Sequence, residues 1–276
     1  MDKHQLLKIA EDFCDNSALN FVGEDWGVDE RLIGMRLLDK PIMKIGRADD
    51  PWFEDLRAPA VVGPQFKLPN FWLEDAKRVI TLFLPLSKEI RDSNRGGYPV
   101  PSLEWVIGRV EGQRMVNALG THLKEAIIAE GYKAVQPCQD ERFVNSQRDA
   151  KGDIPPFNSN WSIRHVAFVC GLGTFGIHDC IITEKGSAGR LLSLVTNMDL
   201  EPDERDYSDR FEYCLKCRKC VPKCPYEAIK PDGYKDALQC HTLQSFYNRV
   251  FNKPRLGCGK CLVDIPCESR RPGLPA

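Results

Sequence analysis

The residues best placed to do chemistry are cysteines. The chain has 276 residues and 12 Cys. Cys14, Cys138, Cys170 and Cys180 are scattered, and the other eight fall between Cys214 and Cys267. The stretch YCLKCRKCVPKCPYEAI holds Cys214-x2-Cys217-x2-Cys220-x3-Cys224 followed by Pro225. Three thiolates two residues apart can wrap a loop around one iron–sulfur cubane, with backbone amides turned toward its sulfurs. The fourth leaves that loop at a helix start and faces a second cubane. Pro225 suits that start, because its missing N–H would be unpaired there anyway. A zinc site needs only two such pairs, so this register argues for iron–sulfur chemistry.

This is the run of two-cluster bacterial ferredoxins. The second set is looser: Cys240, then Cys258-x2-Cys261, then Cys267, with five residues in the last gap and Pro266 before the Cys rather than after it. Crossed ligation assigns Cys214, Cys217, Cys220 and Cys267 to one [4Fe-4S] cluster, and Cys224, Cys240, Cys258 and Cys261 to the other. Cys267 is the ligand whose spacing departs most. The alternative is a single cluster with the remaining cysteines structural. Lys216, Arg218, Lys219 and Lys223 stand among the ligands. They can offset cluster charge or dock an acidic, low-potential electron donor such as a ferredoxin or flavodoxin; a plain solvated surface is the competing reading.

Composition narrows the setting. With 38 Lys+Arg against 39 Asp+Glu, nothing electrostatic points to nucleic acid as the main partner. No window approaches the run of about 20 apolar residues needed to span a bilayer, and the charged first twenty residues read as neither signal nor anchor. The expected location is cytoplasmic, where thiols stay reduced and metal ligation beats disulfides. The four scattered cysteines read as core residues.

The elements that must position these ligands follow from periodicity. Residues 1–20 read as an amphipathic helix, and 22–77 as irregular, punctuated by prolines. Residues 78–84 (RVITLFL) read as a buried strand, 91–101 as a loop, and 103–130 as the longest helix, capped by Ser102 and closed by Gly131. Strands are expected at 133–136, 181–183 and 191–196, with an irregular stretch around Pro155-Pro156. This alternation indicates an α/β or α+β domain over 1–200. The charged stretch 201–210 reads as a linker opening a second domain over 201–276. Gly171-x-Gly173-x-x-Gly176 follows the apolar run 165–170. As a dinucleotide fingerprint it needs a following helix and an acidic residue about 20 positions on. Residues 177–183 read instead as a short strand, so the glycines read as a turn that lets backbone approach a flat ligand or another segment closely.

The stretch RHVAFVCGLGTFGIHDCIITEKGSAGRLLSLVTNMDL, followed by the cysteine run, resembles the core of the cobalamin-dependent iron–sulfur reductases, which include epoxyqueuosine reductase and the reductive dehalogenases. The resemblance is good from about residue 160 to 267. It implies a nitroreductase-like α/β domain that binds cobalamin, or as second choice a flavin, beside a small ferredoxin-like domain with two [4Fe-4S] clusters that supplies electrons. By this similarity Arg164, Gly171, Leu172, Gly173 and Gly176 lie against the cofactor. Tyr98 falls in the family's substrate region and is the first candidate proton donor, with His165 the second. The family's Asp in that segment is replaced here by Gly97. That change, the absence of a C-terminal helical-repeat extension and the near-neutral charge disfavour tRNA as substrate and favour a small molecule. The expectation is an oxygen-sensitive reductase working under anaerobic conditions. The alternative is a non-enzymatic electron carrier or a partner that reactivates a corrinoid protein.

Overall fold

The computed structural model describes residues 1–146, 157–250 and 255–273; the irregular stretch expected at Pro155-Pro156 lies outside them. In chain order the main elements are α1 (Lys3–Asn16), β1 (Ile42–Arg47), β2 (Arg78–Pro85), α2 (Lys88–Ser93), α3 (Leu103–Ala129), β3 (Ala134–Val135), α4 (Ile163–Val169), β4 (Thr174–Phe175), β5 (Ile181–Ile182), β6 (Gly189–Thr196) and α5 (Ala237–Val250). The fold is mixed α/β. A four-stranded sheet in the order β1-β2-β6-β3 is antiparallel throughout, and β4 and β5 form a separate ribbon.

Strand β2 reads as an unbroken apolar run because both of its faces are covered. Ile80, Leu82 and Leu84 join α1 and α3 in one core through Leu6, Ala10, Leu119, Leu123 and Ile127. Val79 and, on its neighbour β6, Val195 pack the other face with Trp161, Val166 and Val169. Trp161 anchors that second layer: its Nε1 donates to Ser193 Oγ at 3.0 Å, and its ring lies parallel to Phe66.

The helix ends follow local chemistry. Asp2 and Gln5 form a capping box on α1. The Ser102 hydroxyl accepts from the Trp105 amide at the start of α3. At Gly108, a Cβ would press on Ile90 and Leu86, so the missing side chain lets α2 lie directly on α3.

Two expectations are corrected. The irregular stretch 22–77 contains strand β1, whose inward residues Met43 and Ile45 alternate with partly exposed Ile42 and Lys44. The loop expected over 91–101 begins inside α2. The charged stretch 201–210 has no regular structure, but its charges are used. Asp203 accepts from Lys3 and from the Ile45 amide. Arg205 pairs with Asp50 at 2.5 Å and stacks over Trp52. Buried Tyr207 donates to the Phe168 carbonyl. Residues that look like solvated linker in sequence are a strap fastened to β1 and α4.

Candidate functional site

The eight clustered cysteines separate into two groups of four. Cys214, Cys217, Cys220 and Cys267 line a narrow recess of about 20 Å³ with Ile177, His178 and Ile182. Cys224, Cys240, Cys258 and Cys261 line one wall of a large cavity of about 610 Å³. Each group draws cysteines from both motifs. Among the described residues no three His, Cys, Asp or Glu side chains gather tightly enough for a single metal ion. A cubane with iron at its corners holds its thiolates further apart than one tetrahedral ion does.

The segment carrying the last three cysteines is docked on the sheet domain by buried polar contacts. Asn94 Nδ2 donates to the Cys258 carbonyl at 3.0 Å, and buried Lys260 donates to the Asn94 carbonyl at 2.9 Å and the Gly96 carbonyl at 2.5 Å. The Cys267 carbonyl accepts from the Ser187 amide at 2.9 Å and the Ser187 hydroxyl at 2.8 Å. Its neighbour Glu268 is buried, accepts from Arg95 at 2.8 Å and from the Asp264 amide at 2.6 Å, and lies 3.5 Å from Arg91. These ties account for the irregular spacing: residues 262–268 follow the sheet domain before returning a thiol to the first group. Glu268→Gln keeps the shape and loses the charge facing Arg91 and Arg95. Charged hydrogen bonds contribute about 1.5–3 kcal/mol, so thermal unfolding should report a loss of about 2 kcal/mol.

The two groups face different surroundings. Cys217 is exposed beside Leu215, Lys216, Arg218 and Lys219. The second group faces the cavity, whose far walls are Trp105 and Arg109 on α3, Gly189 and Arg190 on β6, and Trp161 and Arg164 at the start of α4. Arg164 donates to the Asp179 carbonyl and pairs with its carboxylate at 2.9 Å. Burial works to raise Asp179, but Arg164, Lys235 and Arg210 outweigh it and hold the carboxyl below its ordinary range.

Of the other residues singled out from sequence, only Arg164 reaches the cavity wall. Tyr98 is 61% exposed on a loop and outside the cavity lining. His165 Nδ1 is 2.8 Å from the Ser162 hydroxyl, and its ring packs on Phe175. Burial first, and the Arg164 guanidinium next, push it down to about 4, so it is neutral at pH 7. The glycine turn also lies outside the lining. Gly171, with φ 85°, closes α4, and the Leu172 amide returns to the Ala167 carbonyl at 3.0 Å. Leu172 is core, a Cβ on Gly173 would overlap the Ile182 carbonyl, and Gly176 faces the His178 ring. A helix precedes these glycines and a strand follows, the reverse of a dinucleotide site. Cys138, packed at the edge of the Trp161 layer, and Cys180, which is half-buried, also line the cavity. Arg109, Arg190 and Lys235 were not legible as site residues. The one available signal was an Arg opening an otherwise apolar strand.

A sheet domain that opens a deep cavity onto a cysteine-dense segment has the build of an iron–sulfur reductase. Residues 209–230 match the 4Fe-4S binding domain model. The chain is 33% identical over 261 residues to an epoxyqueuosine reductase of Lactococcus garvieae, covering 83% of this chain and 66% of that protein. It is 27% identical to one of Gloeobacter violaceus over 63% of this chain and 53% of that protein. It is 32% identical to a tetrachloroethene reductive dehalogenase of Dehalobacter restrictus over 35% of this chain and 18% of that protein. The chain thus spans about half the length of the Gloeobacter reductase, 66% of the Lactococcus one and 18% of the dehalogenase. In fold it is similar to the epoxyqueuosine reductase of Streptococcus thermophilus (TM-score 0.52, 16% identity, 99% of this chain and 68% of that one). It is equally similar to an epoxyqueuosine reductase solved with a modified tRNA-Tyr stem loop (TM-score 0.52, 16% identity, 96% of this chain and 65% of that one). The chain belongs to the family of iron–sulfur reductases that contains the epoxyqueuosine reductases and the reductive dehalogenases. Among the described residues, no helix is long and apolar enough to cross a membrane.

Proposed function

We propose that the chain carries two [4Fe-4S] clusters and passes electrons from an external low-potential donor to a corrinoid in the cavity, where a small substrate is reduced. The observation that carries this reading is the shared wall: Cys224, Cys240, Cys258 and Cys261 line the same cavity as Trp105, Arg164 and Arg190. A ligand seated there lies beside the second cysteine group with no further carrier needed. The first group, with Cys217 exposed among basic side chains, faces the donor. When bound, a corrinoid supplies a strongly reducing cobalt centre, while the protein supplies position and electrostatics. The cavity suits such a group in its mixture of aromatic walls and convergent polar side chains. Trp161 and Trp105 give flat apolar surface, and Arg164, held by Asp179, presents fixed donors. The two-domain division at about residue 200 belongs to this proposal, as does a cytoplasmic setting.

The test is metal content after anaerobic purification and incubation with hydroxocobalamin. About eight irons per chain are expected, four for each cubane, with about one cobalt retained through gel filtration. Cobalt that washes out, with no change of the visible spectrum on reduction, overturns the corrinoid. A second reading, tRNA as substrate, is favoured by the likeness to the neighbour solved with a stem loop. It is tested by complementation of a queuosine-deficient strain.

A further inference from the structure

Cations outnumber carboxylates on the cavity wall. Arg109, Arg164, Arg190 and Lys235 line it, and Asp179 is the one acidic side chain among the described lining residues. Asp179 is taken by Arg164 at 2.9 Å and Arg210 at 3.4 Å. Lys235 donates to the His178 carbonyl at 3.1 Å and sits in the field of Cys180, Cys261 and Cys240. The cavity cysteines, Cys180 foremost, therefore account for Lys235. Burial and Arg109 outweigh Cys180 at Arg190. Its guanidinium donates to Gln113 Oε1, while its Nε is buried with no hydrogen-bond partner. No ion pair is formed by Arg190 among the described residues. The charge it feels most is another cation, Arg109, itself held by the Leu256 carbonyl at 3.1 Å. Burial and then Arg109 lower Arg190 to about 10, so it remains a cation at neutral pH. A half-buried cation with a buried, unpaired Nε and a like charge beside it is a strained arrangement unless an anion completes it.

We propose that Arg190 and Arg109 form an anion subsite in this cavity, which receives a carboxylate or phosphate group of the bound ligand. Guanidinium groups match both anions with planar paired donors. Leu86 and Trp105 line the same cavity and offer apolar surface for the ligand's body. The subsite deepens the reading of this cavity as the reductase's ligand site. Its anion has two possible sources: the phosphodiester of a corrinoid nucleotide, or an acidic group on the substrate.

The experiment is calorimetric titration of inorganic phosphate into the anaerobically purified, iron-loaded full chain. The wild type should bind saturably. Arg190→Gln should bind about tenfold or more weakly, as expected for loss of a charged hydrogen-bond pair, with iron content and visible spectrum unchanged. Gln113→Glu places an internal counter-charge beside Arg190. It should suppress phosphate binding while leaving the melting temperature equal or higher, so the inference stays testable where Arg190→Gln fails to fold. No saturable binding by the wild type overturns the subsite, and so does wild-type affinity in either variant. Repeating the titration after hydroxocobalamin loading separates the sources: lost phosphate binding assigns the cofactor's phosphate, and retained binding assigns the substrate. Cobalt retention is read separately from the spectrum, so failure of the corrinoid leaves this test standing.

Discussion

Cys267→Ala is expected to lose about four of about eight irons per chain, with the cavity-side cluster left intact. Cys267 is buried in the recess it shares with Cys214, Cys217 and Cys220, its sulfur 3.4 Å from His178 Nε2. Its backbone is held independently of the thiol, through Ser187 and through Glu268 with Arg91 and Arg95. On the proposed assignment, removing the sulfur takes away a ligand without releasing the segment. The iron-free chain should lose about 1 kcal/mol, as for a small buried truncation, and the iron-loaded chain more, because a lost cluster no longer ties the two motifs together. Cys180→Ala is the matched control. Cys180 lines the cavity but belongs to neither motif, and its loss should leave the iron content unchanged. Iron analysis and the visible spectrum decide. Full iron in Cys267→Ala, or half the iron in Cys180→Ala, would replace the crossed assignment by one that uses Cys180. Reduction of the cavity-side cluster by an external donor should also slow sharply in Cys267→Ala, because the solvent-side relay would be gone.

Much of this was legible in the sequence, and the reasons differ by element. The long helix α3 and strand β2 announce themselves because burial on a wide face imposes a period. The 4Fe-4S run is readable because one loop supplies three ligands, so geometry becomes spacing. Cys267 was harder. Its approach is set by docking on Ser187, a contact made between segments 80 residues apart, and linear spacing carries no trace of such a tie. Strand β1 was missed because it is short, lies at the sheet edge and contains Gly46, where a Cβ would overlap Cys170. The cavity was invisible for a related reason. Its cations come from α3, α4, β6 and the cysteine-rich segment, and each looks like an ordinary surface charge within its own element. The family likeness pointed to Tyr98 and the glycine turn. The structure puts Tyr98 in solvent and spends the turn on capping α4 and bringing β4 against β5.

Gly259→Ala should be strongly damaging although it adds a single methyl group. Gly259 lies between Cys258 and Lys260 with φ 63°, a left-handed conformation that costs a residue with a Cβ about 1–2 kcal/mol. A Cβ there would also overlap the Trp105 indole, which is buried in α3 and lines the cavity. Neither neighbour yields easily. The Trp105 amide is tied to Ser102 at 3.1 Å, and the Cys258 carbonyl and Lys260 ammonium are both bound to Asn94. Overpacking adds about 1–3 kcal/mol, so the total loss should be about 2–5 kcal/mol. Relief by shifting the loop would move Cys258 and Cys261 together and deplete the cavity-side cluster selectively. That is the opposite iron pattern from Cys267→Ala, and the surviving half should be the solvent-side cluster. Trp105→Ala alone should cost about 3–5 kcal/mol as a large-to-small change in a core. The double variant separates the two causes. If the clash dominates, Trp105→Ala with Gly259→Ala should be little worse than Trp105→Ala by itself, leaving only the backbone term. Fully additive losses would assign the effect to the left-handed backbone and remove the indole from the account of how Cys258 is positioned.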